Sequence, residues 1–329
     1  MEMRSKECIL SVEDLHVEYK SERAMAQALN GVSFTLCKGE SLGVVGESGA
    51  GKTTTALAIL NLLSKDAATI KSGDVKFHGK SVFKMSKQEL EQMRGGKVAM
   101  IFQNPLTALN PVFTIGEQIA VVSRLHKGLS RKAAMEDAAK MLEMVGIHGS
   151  RLKDYPNQFS GGMRQRVGIA AALVANPEIL IADEPTTALD VTIQAQILEL
   201  MKKLQHEYET ATIMITHNLG IVSELCQKVA VMYGGHIIEY GRIQAVFSEP
   251  KHPYTKGLLG SLPSPDGGGK TRLTAIPGQA ASAHNLPSGC AFHPRCEFCK
   301  GRCKEGQPEM FQISGDHYTA CYQYAEDWR

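Results

Sequence analysis

The most informative segment of this sequence is GESGAGKT, from Gly46 to Thr53. It fits the pattern G-x-x-x-x-G-K-[ST], follows the apolar, strand-like run Ser41–Val45 and precedes the helical pattern Thr54–Leu63. Glycines in such a loop let backbone N–H groups curl around phosphates, and the start of the next helix adds a favourable dipole. The stretch therefore predicts a phosphate-binding loop between a strand and a helix.

Two side chains of this loop match the chemistry of a nucleoside triphosphate. The Lys52 ammonium is suited to neutralise β- and γ-phosphate oxygens, and the Thr53 hydroxyl is suited to bind Mg²⁺. The alternative is a glycine-rich strand–helix turn with a surface lysine. On the phosphate-binding interpretation, the residues expected to contact the nucleotide are Gly46, Glu47, Ser48, Gly49, Ala50, Gly51, Lys52, Thr53 and Thr54.

A second motif, ILIADE over residues 179–184, is an apolar strand that ends in two carboxylates. Asp183, at the strand end, is suited to hold Mg²⁺ through water, and Glu184 is placed to polarise an attacking water as a general base. The alternative is a pair of carboxylates in an ordinary strand-to-helix loop. Together with the phosphate-binding loop, the motif predicts nucleotide hydrolysis.

Composition excludes several other classes of protein. The 329 residues are 43% hydrophobic and 21% charged, as in an ordinary globular protein. The net charge, 36 − 34 = +2, is too close to neutral to favour nucleic acid as a partner. No apolar run approaches the ~18 residues of a membrane span, and Met1–Cys8 carries charges instead of an apolar signal-peptide core. We therefore expect a chain that neither crosses a membrane nor is exported by the usual route.

Strand-like and helical patterns alternate along the chain, which is typical of an α/β fold with a largely buried sheet. Besides Ser41–Val45, the runs Lys97–Phe102, Ile179–Ala182 and Ala211–Thr216 are predicted strands. Between Gly116 and Ile147 the pattern is wholly helical, which predicts an α-helical insertion.

A third motif, FSGGMRQR over Phe159–Arg166, identifies the family. In the order phosphate-binding loop, SGG-x-x-QR, then strand with Asp-Glu, the chain resembles the nucleotide-binding subunits of ABC transporters from about Ile9 to Gly241. The resemblance implies that the helix starting at Ser160, Gly161 and Gly162 aims its dipole and hydroxyl at the γ-phosphate of ATP bound to a partner subunit. Taken alone, the same tripeptide is an ordinary small-residue helix start.

The resemblance also implies roles for three further residues. Tyr19 resembles the aromatic residue that stacks on adenine, and its alternative is a half-buried strand tyrosine. Gln103 resembles the residue that links Mg²⁺ and water to the transmembrane subunits, and its alternative is a polar loop residue. His217 resembles the histidine that contacts the γ-phosphate, whereas a lone histidine at a strand end is usually structural.

The sequence changes character after Phe247, and five of the eight cysteines lie in the last forty residues. The segments KHPYTKGLL and GCAFHPRC resemble the C-terminal extension of ATPases from oligopeptide/dipeptide importers and their nickel-importing relatives. That family's extension binds a [4Fe–4S] cluster, and matching by position gives the ligands Cys290, Cys296, Cys303 and Cys321.

Cys299 is the departure from that pattern. It creates Cys296-x-x-Cys299, a spacing equally suited to Zn²⁺, so zinc and reduced structural thiols stay open as alternatives to the iron–sulfur cluster. The basic side chains near these cysteines are expected to form a solvated face: Arg295, Lys300, Arg302 and Lys304.

The fold that these patterns predict is α/β. We expect an ABC-type nucleotide-binding domain of the P-loop NTPase class over residues 1–247, with a helical subdomain at about 105–176. An irregular, Cys-rich extension of the oligopeptide-transporter type is expected over residues 248–329.

The function that the resemblance implies is ATP hydrolysis that powers import of di- or oligopeptides, at the cytoplasmic side of the cell membrane. The implied partners are a second ATPase subunit in a heterodimer, two transmembrane permease subunits and an extracytoplasmic binding protein, with no nucleic acid. An importer of nickel or another small solute and an ATP-dependent redox sensor are the alternatives. A cassette protein acting on ribosomes or DNA usually carries two cassettes or a long coiled-coil insertion, and this sequence has neither.

Overall fold

The computed structural model describes residues 7–20, 25–104, 108–187, 189–261, 275–326 and 328. These residues fall into two units. The first unit comprises the described residues within Met1–Leu10, Leu36–Ser41 and Phe77–Ile215. The second unit comprises the described residues within Ser11–Thr35, Leu42–Lys76 and Thr216–Arg329.

Strands and helices alternate over much of the chain. The strands are β1 (Cys8–Lys20), β2 (Met25–Cys37), β3 (Ser41–Val45), β4 (Ala68–Phe77), β5 (Lys80–Ser81), β6 (Val98–Ile101), β7 (Ile179–Asp183), β8 (Ala211–Thr216), β9 (Lys228–Tyr233), β10 (His236–Arg242), β11 (Phe311–Ser314) and β12 (His317–Thr319). The α-helices are α1 (Lys52–Ile59), α2 (Lys87–Met93), α3 (Ile115–Lys127), α4 (Arg131–Met144), α5 (Gly161–Leu173), α6 (Val191–Tyr208), α7 (Leu219–Leu225), α8 (Ile243–Ser248), α9 (Pro253–Gly260) and α10 (Arg302–Glu305).

The sheet of the first unit is parallel. Strand β7 lies between β6 and β8, with Ile179 opposite both Val98 and Ala211. Every residue of β7 and β8 is buried, as expected for parallel strands that are covered on both faces. Because parallel strands end at one edge, Gln103 after β6 and Glu184 after β7 leave the sheet on the same side.

Two capped helices, α3 and α4, pack against each other in the first unit. The Thr114 hydroxyl accepts the Glu117 N–H at the start of α3, while the Glu117 carboxylate accepts the Thr114 N–H. At the start of α4 the Ser130 hydroxyl accepts the Ala133 N–H, and Ile119 of α3 and Leu142 of α4 are fully buried where the helices pack. Residues 105–107, where the helical subdomain is predicted to begin, lie outside the described residues.

The sheet of the second unit contains strands from both ends of the chain. Strand β9 is parallel to β3 and antiparallel to β10, and β12 pairs with β10 so that Thr319 lies opposite Glu239. Strand β11 pairs with β12, and most of β1, with β2 and β4, forms another sheet of this unit. The irregular extension that the sequence predicts after residue 247 is therefore a prediction to correct: backbone hydrogen bonds attach β12 to β10 and β11 to β12.

An aromatic cluster forms part of the core of the second unit. The Tyr233 and Tyr254 rings lie 4.7 Å apart, and the Phe292 ring lies 5.3 Å from Tyr233 and 5.5 Å from Tyr254, all between centroids. Tilted and edge-on pairs at these distances are favourable beyond the area they bury. Val45, the last residue of β3, belongs to the same buried cluster. The core thus connects the strand before the phosphate-binding loop with the C-terminal extension.

The predicted elements agree closely with the observed ones. Strands β3 and β8 have the predicted bounds, β6 is one residue shorter than predicted at each end, and β7 is one residue longer at its C-terminal end. Helix α1 begins at Lys52 and ends at Ile59, so it starts two residues and ends four residues earlier than the predicted Thr54–Leu63. It stops early because Asn61 adopts a left-handed backbone conformation, with φ +50°.

Candidate active site

The phosphate-binding loop lies between β3 and α1 and requires glycine at two described positions. Gly51, which precedes α1, has φ +100°, and a Cβ there would lie 2.6 Å from the Ala28 carbonyl oxygen. At Gly46 a Cβ would lie 2.2 Å from the Met232 carbonyl oxygen. Because both carbonyl oxygens lie too close for any side chain, the loop shape that the motif predicts requires glycine at positions 46 and 51.

Lys52 folds back over this loop. Its Nζ donates hydrogen bonds to the carbonyl oxygens of Gly46, at 2.7 Å, and Glu47, at 2.9 Å. The lysine is only 7% exposed, whereas Thr53 is exposed and Thr54 is half-buried. A cation held this way at the start of a helix is suited to bind an anion such as phosphate.

Glu47 is the one acidic residue of the loop, and its carboxylate is paired. Arg295 Nη1 lies 2.8 Å from Glu47 Oε2, and Arg295 Nη2 lies 3.2 Å from Glu47 Oε1. The prediction that Arg295 lies on a solvated face is wrong, because its side chain is 6% exposed and salt-bridged. No sequence signal could have found this pair, since the two residues are 248 positions apart. Lys300, Arg302 and Lys304 are exposed, as predicted.

The structure brings Gln103 and Glu184 together in the first unit. Gln103 Nε2 donates to Glu184 Oε2 at 2.9 Å, and the Thr187 hydroxyl donates to the same oxygen at 2.9 Å. Glu184 has φ +46°, and its N–H donates to the Ile215 carbonyl oxygen at 2.8 Å. Asp183, one residue earlier, is 3% exposed. The two donors orient the Glu184 carboxylate, a group suited to accept a proton from water.

Sequence reasoning missed Thr187. Its hydroxyl helps to orient Glu184, and its N–H also donates to the Glu184 carbonyl oxygen at 3.1 Å. The available signal is the spacing: a threonine three residues after a carboxylate, in a turn, can reach back to it.

The Ser160-Gly161-Gly162 tripeptide forms the exposed start of α5. The Ser160 hydroxyl accepts the Met163 N–H, and both Ser160 and Gly161 are exposed. Gly162 is needed for packing, because a Cβ there would lie 2.5 Å from Ile193 Cγ2 of α6. The start of α5 is thus exposed at Ser160 and Gly161, while its Met163 N–H is satisfied by the Ser160 hydroxyl.

Arg151 holds the segment that leads into this helix and was also missed. Its guanidinium carbon lies 4.2 Å from the centre of the Phe159 ring, and Nε donates to Asp154 Oδ2 at 2.7 Å. Nη2 donates to the Gln158 carbonyl oxygen at 3.2 Å. The residue just before Ser160 is therefore fixed by a stacked cation.

Tyr19 and His217 belong to the second unit, which also contains the phosphate-binding loop. Tyr19 lies near the end of β1 and is half-buried, while His217 follows β8 directly and is exposed. Their roles at the adenine and the γ-phosphate stay predictions.

Four of the five C-terminal cysteines face one small cavity. Cys290, Cys296, Cys303 and Cys321 line this space of about 20 Å³, and Cys299 does not. Burial raises the pKa of the Cys290 thiol to about 12 and that of the Cys321 thiol to about 11. Among the residues that the structure describes, no group of three or more His, Cys, Asp or Glu side chains has the arrangement to hold a metal ion.

Comparison with known proteins gives relatives over nearly the whole chain. The family model described as "ABC transporter" matches residues 29–187, and the one described as "Oligopeptide/dipeptide transporter, C-terminal region" matches residues 238–303. The chain is 48% identical to the oligopeptide transport ATP-binding protein OppD of Bacillus subtilis, over 94% of this chain and 87% of that protein. The chain belongs to the ABC transporter family. It is also 47% identical to the dipeptide transport ATP-binding protein DppD of Bacillus subtilis, over 96% of this chain and 95% of that one.

Solved structures of ATP-binding cassettes resemble this ABC subunit. A dimeric post-hydrolysis state of the cassette MJ0796, bound to ADP and Pi, has a TM-score of 0.64 and 27% identity, covering 71% of this chain and 98% of that one. CbiO1 of Clostridium perfringens, part of the complex cbiONQ, has a TM-score of 0.63 and 27% identity, covering 74% and 92%.

The family assigns the chemistry of this subunit. As an ABC ATPase it binds and hydrolyses ATP. None of the helices in the described ranges has the length and apolar character to span a bilayer.

Proposed function

We propose that this chain is the ATPase subunit that powers import of di- and oligopeptides through an ABC transporter. The observation that carries the proposal is the match of residues 238–303 to the C-terminal region of oligopeptide/dipeptide transporters, beyond the cassette itself. Relatives whose names specify oligopeptide or dipeptide transport are 45–48% identical over more than nine-tenths of this chain. We place the subunit peripherally, at the cytoplasmic side of the membrane.

In the proposed mechanism two ATPase subunits enclose two ATP molecules. The phosphate-binding loop of one subunit holds the phosphates through Lys52 and backbone N–H groups, and the start of α5 of the other subunit, at Ser160, faces the γ-phosphate. Glu184 accepts a proton from the attacking water, and His217 contacts the γ-phosphate. Closure of the pair drives the permeases, and hydrolysis with product release resets them.

Mg²⁺ is the expected ion of this reaction, and the residues proposed for it fit its chemistry. Thr53, Gln103 and Asp183 offer hydroxyl, amide and carboxylate oxygens, the hard donors that Mg²⁺ prefers. When bound, the ion neutralises charge on the β- and γ-phosphates. The protein side chains then hold the water and the phosphates in line.

The partners follow from the same proposal. We expect a second, related ATPase subunit, two permease subunits and an extracytoplasmic binding protein, with no nucleic acid. The last expectation agrees with a net charge of +2.

We also propose a metal centre in the extension, a [4Fe–4S] cluster with Zn²⁺ as the alternative. Its support is the convergence of four thiols on one cavity that Cys299 does not line. Four thiolates are the donor set of such a cluster, and they must lose their protons to bind it. A cavity of about 20 Å³ has room for about one water, so its walls would have to separate to admit the cluster.

The test of transport is reconstitution of the chain with the permeases and binding protein encoded beside it. Vesicles in which the ATPase subunit faces an ATP-containing lumen should accumulate labelled di- and oligopeptides. This uptake should stop when Glu184→Gln replaces the wild-type chain. ATP-dependent uptake of Ni²⁺ without uptake of any peptide would overturn the assignment of the cargo. ATP turnover that changes with the redox state of the cysteines, without transport, would favour the sensor alternative.

A further inference from the structure

The C-terminal extension holds the phosphate-binding loop at its acidic residue. Arg295, located between Cys290 and Cys296 in the sequence, pairs with Glu47 through two hydrogen bonds, one to each carboxylate oxygen. The side chains of Arg295 and Glu47 are 6% and 28% exposed. A two-pronged guanidinium–carboxylate pair of this kind fixes orientation as well as distance.

Arg295 is itself rigidly placed. Its Nε donates to the Pro277 carbonyl oxygen at 2.8 Å, Nη2 to the Ile276 carbonyl oxygen at 3.3 Å, and Nη1 to the Tyr233 hydroxyl at 3.3 Å. The guanidinium carbon lies 5.8 Å from the centres of both the Tyr233 and Phe292 rings. With its donors directed in this way, the arginine is a fixed support and not a mobile surface cation.

The backbone of Glu47 is held as well. The Glu47 N–H donates to the Tyr254 hydroxyl at 2.9 Å, and Tyr254 is fully buried in α9. The Glu47 carbonyl oxygen accepts from Lys52 Nζ at 2.9 Å. Glu47 thus links two residues of the extension to the lysine that is suited to face the phosphates.

We propose that Arg295 is a positioning residue for nucleotide binding, acting through Glu47 on the shape and charge of the phosphate-binding loop. Without Arg295 a carboxylate would stand unpaired beside the phosphate site and repel the ligand. The Glu47 side chain would also lose both hydrogen bonds that orient it, which leaves Glu47 held only at its backbone, by Tyr254 and Lys52. This inference rests on the loop's role in ATP binding and is independent of the transported cargo.

The experiment measures the Kd for ATP and the melting temperature of the full chain in four variants. Arg295→Met should raise the Kd about tenfold, because removing one partner of a buried ion pair leaves the other charge uncompensated. Arg295→Lys should give an intermediate Kd, because it keeps the charge and loses the two-pronged geometry. The double variant Arg295→Met/Glu47→Gln should return the Kd to within about threefold of wild type, because it removes the unpaired charge.

The matched control is Arg242→Met, which removes an arginine from the exposed Arg242–Asp316 ion pair of the same unit. It should leave the Kd unchanged. A Kd for Arg295→Met within twofold of wild type, or an equal rise in Arg242→Met, would overturn the proposal. A lowered melting temperature with a normal Kd for ATP would make Arg295 a structural residue only.

If Arg295→Met does not fold, the double variant Arg295→Lys/Glu47→Gln tests the same coupling between the two side chains. Failure of the wild-type chain to bind ATP would instead refute the assigned loop.

Discussion

Glu184 carries the most unusual backbone of the candidate site. A glutamate with φ +46° occupies a left-handed conformation that costs free energy in any residue with a side chain. The hydrogen bond from its N–H to Ile215 and those from Gln103 and Thr187 to its carboxylate compensate for that cost. Strained residues held in this way concentrate at functional sites.

Glu184→Gln is expected to keep ATP binding and to lower turnover by about 10²–10⁴-fold, the usual loss when a general base is removed. The amide oxygen can still accept hydrogen bonds from Gln103 and Thr187, so the turn should persist. The measurement is ATP hydrolysis by the assembled transporter, with nucleotide binding measured in parallel. Glu178→Gln is the control, because Glu178 stands before the other end of β7 and pairs with His78 and Lys97. Wild-type turnover in Glu184→Gln would refute the general-base assignment.

At the scale of elements, α5 and α4 offer a matched pair of helix starts. Each is capped by a serine hydroxyl, Ser160 accepting from Met163 and Ser130 accepting from Ala133. A change that merely removes the cap should affect both helices alike, whereas a change at a nucleotide-facing helix start should affect hydrolysis only in α5.

Ser160→Arg is expected to impair ATP hydrolysis by the assembled transporter while ATP binding by the chain stays nearly intact. The bulky cation replaces the hydroxyl at the point proposed to face the partner subunit's γ-phosphate, and loss of the cap costs about 1 kcal/mol. Ser130→Arg carries that same cost and should hydrolyse ATP normally. Equal losses of activity in both variants, or loss of ATP binding in Ser160→Arg, would show that this tripeptide only supports its own fold.

The C-terminal cysteines provide the second test at this scale. Protein purified without oxygen should be brown and contain about four irons per chain, and Cys299→Ser should keep the colour because Cys299 does not line the cavity. Cys303→Ser should lose colour and iron, since only three ligands would remain. Metal analysis measures the iron content, and visible absorbance measures the colour. Colourless protein with stoichiometric zinc, or colour lost only in Cys299→Ser, contradicts the iron–sulfur assignment.

The strands and the loop that were predicted correctly are those defined by residues adjacent in the sequence. Strands such as β3 and β8 are continuous apolar runs buried on every residue, and the phosphate-binding loop is defined by eight adjacent residues. Strands β11 and β12 were missed because they are four and three residues long, too short for a periodic pattern. The Arg295–Glu47 pair depends on tertiary packing alone, so no window of sequence contains it.

At the scale of the whole molecule, the second unit contains a buried polar network around Glu239 that contributes to stability. The Glu239 carboxylate, fully buried, accepts the backbone N–H groups of Lys251 and His252 at 2.7 and 2.9 Å and contacts His317 Nε2 at 2.8 Å. His252 Nδ1 accepts the Tyr254 N–H at 3.0 Å, which requires that nitrogen to be unprotonated. This network connects β10 and β12 with the start of α9, so its loss would loosen the extension.

Burial lowers the pKa of His252 to about 3. In the unfolded chain a histidine has a pKa of about 6.5, so below that pH the unfolded state binds a proton that the folded state does not. The free energy of unfolding should therefore fall as the pH drops from 6.5 towards 3, by up to about 1.4 kcal/mol per pH unit from this residue, and should show no such term above 6.5. His236, whose pKa burial lowers to about 4, acts in the same direction.

Replacing His252 isolates its part of this pH dependence. His252→Gln should be less stable than wild type at pH 7.5 because the buried contacts are altered, yet it should lose less stability between pH 6.5 and 4.5 because one titrating group is gone. Urea unfolding of the full chain across that range measures the difference, and His284→Gln, at an exposed position of the same unit, should keep the wild-type slope. His236 is present in all three proteins, so its contribution cancels in the comparison. Equal slopes for wild type and His252→Gln would show that His252 does not control the acid sensitivity of the fold.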